Sequence, residues 1–99
     1  MGKIIEDLDI QINSIRMSYL QAVSRGNWQL AVHFIEMMHN AIPPKARISD
    51  FVKLEFDQNE FLHSNKVNNI SIGYCMKWMP LIESAIAVHR DQMLRELNS

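Results

Sequence analysis

Asn27 to Pro44, NWQLAVHFIEMMHNAIPP, is the stretch whose reading decides the fold. Trp28, Ala31, Ile35, Met38 and Ile42 recur at alternating three- and four-residue steps, and Leu30, Phe34, Met37 and Ala41 form a second series beside them. At about 100° per residue these apolar positions cover roughly 220° of a helix circumference. Gln29, His33, Glu36 and Asn40 remain as a narrow polar edge. A helix apolar over so much of its girth has to be packed on two sides, so the other segments are expected to surround it.

Outward from this helix, the flanking residues set its ends. Gly26 suits the left-handed residue that closes a preceding helix, and Asn27 can cap the next one through its side-chain oxygen. A turn as short as Ser24-Arg25-Gly26-Asn27 forces an antiparallel helical hairpin. At the other end Pro43 disfavours helical geometry at Ile42, and neither Pro43 nor Pro44 has a backbone N–H to donate.

The first arm of the hairpin is expected from Lys3 to Ser24. Ile5, Leu8, Ile12, Ile15, Tyr19 and Ala22 keep a three-four alternation, with Glu6, Asp7 and Asp9 in the turns where the helix dipole favours negative charge. This seam is expected to pack against the central helix of the same chain rather than against a second copy. Ile10, Met17 and Leu20 lie off the seam and form either a second packed face or a landing site for a partner.

Beyond the prolines the pattern weakens. Val52, Leu54 and Phe56 alternate like an edge strand, whereas Ser49 or Asp50 followed by Phe51, Leu54 and Glu55 suits a short helix, which is the reading adopted; a further helical turn is expected from about Gln58 to Ser64. Asn65, Lys66, Asn68 and Asn69 read as a polar loop. From Ile70 to Leu97, Cys75, Met79, Ile82, Ile86, Met93 and Leu97 form one stripe, and Tyr74, Trp78, Leu81, Ala85 and Val88 form another, so this helix too is expected to be packed on two sides. Pro80 removes the hydrogen bond to the carbonyl of Met76 and predicts a kink or split near Met79.

The expected architecture is therefore all-α. One domain spans 1–99, with helices at about 3–24, 27–42, an irregular 49–64, and 70–97 kinked at Pro80. Composition agrees, since 47% hydrophobic and 21% charged residues in 99 positions are those of a small folded chain. Ten basic and eleven acidic residues leave a formal charge of -1, without the electrostatic footprint of a general nucleic-acid or anionic-membrane binder. The single cysteine, Cys75, allows no internal disulfide, and Lys3 and the acidic residues after Ile4 and Ile5 interrupt any signal-like apolar run. A soluble, cytoplasmic protein is the expectation.

Candidate chemistry is sparse. Glu36-Met37-Met38-His39 and Glu60-Phe61-Leu62-His63 are both Glu-x-x-His, a spacing that points a carboxylate and an imidazole the same way from one helix and that di-iron four-helix bundles use twice. Those bundles also need a mid-helix Glu on each of two further helices, and here only Glu6, near a helix start, and Glu83 are available. No metal and no cofactor is therefore expected, with Glu36, His39, Glu60 and His63 as the metal-ligating alternative. His33, Glu36 and His39 diverge too far around a helix to chelate one zinc well. Cys75 belongs to an apolar stripe, and no phosphate loop, nucleophile elbow or convergent carboxylate pair is present, so no enzyme activity is expected.

What remains is protein binding. Seven methionines supply adaptable packing, and Trp28, Trp78, Tyr19 and Tyr74 are residue types that anchor interfaces when they are not core. The contact residues selected are Ile10, Met17 and Leu20 on the first helix and Lys45, Arg47 and Phe51 after the prolines. The expected function is a non-catalytic binding module of the kind found among small bacterial and phage accessory or inhibitor proteins, docking on and modulating a larger host enzyme such as a defence or DNA-processing complex. The alternatives are a self-associating helical protein, including a homodimer, the metal-binding bundle, and a nucleic-acid-associated factor.

Overall fold

Gly26 is where the chain first reverses, with φ at +73°, the left-handed value its missing Cβ permits. The amide of Gly26 donates to the carbonyl of Val23 and that of Asn27 to Ala22, both at 2.9 Å, so the turn closes the last carbonyls of the first helix as a Schellman motif does. The Asn27 side chain then accepts from the amide of Leu30 at 3.3 Å and starts the second helix. A computed structural model describes residues 2–51 and 65–98, and within them the protein is all-α. Helix α1 is Gly2–Ser24, α2 is Trp28–Ala41, a 3-10 turn occupies Pro44–Ala46, and α3 is Asn65–Asn98. The expected helical turns between Val52 and Ser64 lie outside the described residues.

The seam of α1 is spent inside the chain: Ile12, Ile15, Tyr19 and Ala22 are buried and Leu8 packs against them. They meet Ala31, Val32, Ile35, Met38 and Ile42 of the α2 side. Val32 belongs to neither apolar series of the sequence reading and is fully buried. The other departure is on the opposite flank, where Leu30 and Met37 are exposed although their series suggested packing on both sides. One shoulder of α2 is open.

At Pro43 the helix ends as the sequence requires, with Ile42 at φ -80° and ψ 138°. Arg47 folds back to finish the job. Its Nε donates to the carbonyl of Ile42 at 2.9 Å and its Nη2 to that of Asn40 at 3.0 Å, which places a cation at the negative end of the α2 dipole.

Two ion pairs fix the direction of α3. Arg16 meets Glu83 and Asp9 meets Arg90, so rising numbers on α1 match falling numbers on α3 and the two helices are antiparallel. Since α1 and α2 form an antiparallel hairpin, α3 runs parallel to α2. Helix α2 packs against both neighbours, whereas α1 and α3 share a thinner contact. At 1.5 Å per residue α2 is about 21 Å long, α1 about 34 Å and α3 about 51 Å, so the long helices run past the end of α2. The longest dimension of the molecule is 54 Å.

Asn65 to Asn69 are helical, where a loop was expected, and α3 starts correspondingly early. Asparagine costs only a fraction of a kcal/mol per helical position, and extending a helix already anchored by buried Ser71, Tyr74 and Cys75 needs no new nucleus. Nor does Pro80 split the helix, which continues through it. Pro80 and Met76 are both exposed, so water can reach the carbonyl that proline leaves without a donor. The second stripe of α3 is covered only in part: Tyr74 and Trp78 are buried, whereas Leu81 and Val88 stand exposed.

Candidate interaction surface

Ile10, Met17 and Leu20 are 68%, 71% and 56% exposed, the first two among the most open large apolar side chains described. They project from α1 roughly 120 to 180° around from the middle of the buried seam. Met17 and Leu20, with Ser18, Gln21 and Ser24, line a shallow depression on this outer face. Toward α3 the face is bordered by Arg16, whose Nη2 donates to both carboxylate oxygens of Glu83 at 2.8 and 2.9 Å and whose Nε donates to Oε1 at 3.0 Å. Arg16 also donates to the side chain of Asn13. About two turns toward the N-terminus of α1, Arg90 Nε donates to Asp9 at 3.1 and 3.2 Å. On the α3 side of this border Met76 and Ala87 are exposed.

The residues after the prolines do not join this surface. Lys45 is exposed, but Arg47 is committed to the end of α2 and Phe51 is turned inward. Phe51 stacks on His39, with ring centroids 4.2 Å apart and planes 14° from parallel, and meets Trp78 and Tyr74 edge-on at 5.2 and 5.9 Å. His39 Nε2 also lies 3.4 Å from the carbonyl of Ile48. Lys77 sits over the Trp78 ring, 4.8 Å from its centroid, which adds a cation to the outer edge of the cluster.

Of the metal-ligating alternative, Glu36 and His39 are described and Glu60 and His63 lie outside the described residues. Among the described residues no group of three or more His, Cys, Asp or Glu side chains converges as a metal site would require. His39 is occupied by its aromatic and carbonyl neighbours, and His33 is exposed.

Cys75 is buried, and its surroundings raise the thiol pKa to about 11 because burial disfavours the thiolate, an effect the neighbouring Tyr19 hydroxyl only partly offsets. Tyr19 is pushed up to about 12, first by burial and then by Cys75. Tyr74 moves the same way, by burial and then by the charge of Glu36. A thiol held protonated beside two protonated phenols is the reverse of an activated nucleophile.

Sequence reasoning selected the outer face of α1 and missed the exposed apolar residues on the other helices: Leu30 and Met37 on α2, and Ile70, Met76, Leu81 and Val88 on α3. Ile70, Leu81 and Val88 fall within about 20° of one another on a helical projection, displaced by about 110° from Ile82. That spacing was the available signal.

No described helix is long and apolar enough to cross a membrane. Comparison with models of known protein families, with curated proteins and with solved structures returns no match.

Proposed function

We propose that the protein is a non-catalytic protein-binding module, acting as a small accessory or inhibitor protein that docks on a larger enzyme of its host and modulates it. The observation that carries this reading is the outer face of α1. Three large apolar side chains stand open on a helix whose opposite face, from Leu8 to Ala22, packs into the core, and Met17 is the most adaptable of them. A rim of Ser18, Gln21 and Ser24, with fixed ion pairs beyond it, resembles the polar border that surrounds apolar contact residues in protein interfaces. The buried, protonated Cys75 supports the non-catalytic part of the reading.

The test is affinity capture from the native host with the full chain as bait, comparing the parent with Met17→Glu and with Lys45→Glu. Enrichment of one partner, lost with Met17→Glu and retained with Lys45→Glu, is the expected result. If no partner is enriched, or if Met17→Glu captures it equally well, the reading or its surface is wrong.

A further inference from the structure

Helix α3 changes its support where α2 ends. The charge of Glu36 acts on Tyr74, the two helices are parallel, and α2 has five residues left after Glu36, which brings its last residue, Ala41, level with about Met79. From Leu81 onward α1 is the helix that runs beside α3, in the thinner of the two contacts α3 makes with the other helices. Pro80 falls at this change. It has no N–H to give the carbonyl of Met76, so the hydrogen-bond ladder is interrupted there although the helix continues.

Beyond Pro80 the two helices carry one pattern twice. Asp9-x-x-Ile12-x-x-x-Arg16 on α1 and Glu83-x-x-Ile86-x-x-x-Arg90 on α3 have the same residue types at the same spacing. In antiparallel register each acid comes opposite the other helix's arginine, as in the Asp9–Arg90 and Arg16–Glu83 pairs, and Ile12 and Ile86 are buried between them. These side chains, with Asn13 and Ala87, line one cleft between the helices. Its two ends are unequal. Arg16 gives Glu83 three hydrogen bonds, whereas Arg90 reaches Asp9 through Nε alone and is the more exposed arginine.

We propose that the part of α3 beyond Pro80 is a hinged arm, latched onto α1 by the Asp9–Arg90 and Arg16–Glu83 pairs and released locally while the hairpin stays folded. Burial of Ile82, Ile86 and His89 keeps the arm shut in most molecules, so the open form is a minor state of the native protein. A bend at Pro80 breaks no hydrogen bond from that residue, since it has none to break, whereas a bend at another position of α3 interrupts the ladder anew. The latch is made of half-exposed charges, so salt weakens it. Release starts at the Arg90 end, where the hold is lighter, and the tighter Arg16–Glu83 pair stands next to the hinge. This inference does not depend on which partner the outer face of α1 meets.

Amide hydrogen exchange of the full chain, read residue by residue, tests it. Raising salt from about 0.02 M to about 0.5 M should speed exchange at residues 86–93 roughly three- to ten-fold and leave residues 31–38 of α2 and 74–78 of α3 unchanged. At low salt Arg90→Asp and Asp9→Arg should each speed the same amides, and the two together should restore protection, because the pair then faces in reverse. Pro80→Ala supplies the missing donor and should slow these amides. Equal acceleration along the whole chain, or none, overturns the hinged arm; the salt series uses the unaltered chain, so this outcome is decided even where a variant fails to fold. A double variant that exchanges as fast as the single ones overturns the latch, and Pro80→Ala without effect on residues 86–93 overturns the hinge.

Discussion

The two faces of α1 carry the same kinds of residue at the same spacing and meet different fates. Ile12, Ile15 and Tyr19 are buried beneath α2 and α3, whereas Ile10, Met17 and Leu20 face outward on the same turns. Helical periodicity separates the two faces and marks the longer seam as the packed one, but how much of the circumference is covered depends on the neighbouring helices. The inner face has six seam positions to the outer face's three apolar ones, and the central helix takes the longer seam. A leftover apolar row on a well-packed helix bears on contacts outside the chain in a way that the core row does not.

The largest difference between the two faces is expected in stability. Ile35→Ala, at a fully buried position of α2, should cost about 2 to 5 kcal/mol in denaturant unfolding, while Met17→Ala on the outer face should stay within about 0.5 kcal/mol. Equal losses at the two sites would mean that the outer face is not open. Next comes pH. An unfolded thiol loses its proton near 9.0, whereas Cys75 keeps its own to about 11, so between these values the folded chain binds more protons and stability falls as pH rises. The loss should be on the order of 2 kcal/mol across that window and should flatten in Cys75→Ala, as read from unfolding midpoints at stepped pH.

Smaller still is the cap at the hairpin. Asn27→Ala should cost about 1 kcal/mol, and Asn27→Gly only a few tenths, by thermal or denaturant unfolding. The smallest effect is at the border between the faces. A double-mutant cycle on Arg16→Gln and Glu83→Gln should give a coupling of roughly 0.5 to 1 kcal/mol, reduced by salt, because both side chains keep partial contact with water. A coupling several times larger would mean that this border is shielded from water.

Much of the hairpin was legible in the residues. Gly26, Asn27 and Pro43 each restrict the backbone locally, and the observed φ at Gly26, the cap to Leu30 and the extended Ile42 follow from those restrictions alone. The start of α3 was not legible, because the asparagines from Asn65 to Asn69 have only weak local preferences that a long anchored helix overrides. Nor was the use of Arg47 and Phe51. An arginine and a phenylalanine after two prolines look like contact residues until the carbonyls of Asn40 and Ile42, and the rings of His39 and Trp78, are brought beside them. Of the candidate surface, Ile10, Met17 and Leu20 were found by their displacement from the seam, while Met76, Leu81 and Val88 were hidden in a helix that looked apolar on too many sides.

From the residues alone follow the first two helices, the hairpin, the inner face of α1 and the closed end of α2, all of which depend on residues within a few positions of one another. Only the tertiary structure decided that α3 lies parallel to α2, that Arg16 and Asp9 bind it in register, and which apolar rows are left open. Those outcomes depend on pairs such as Arg16 with Glu83 and Tyr19 with Cys75, far apart along the chain, whose meeting is set by how three helices of unequal length share one core.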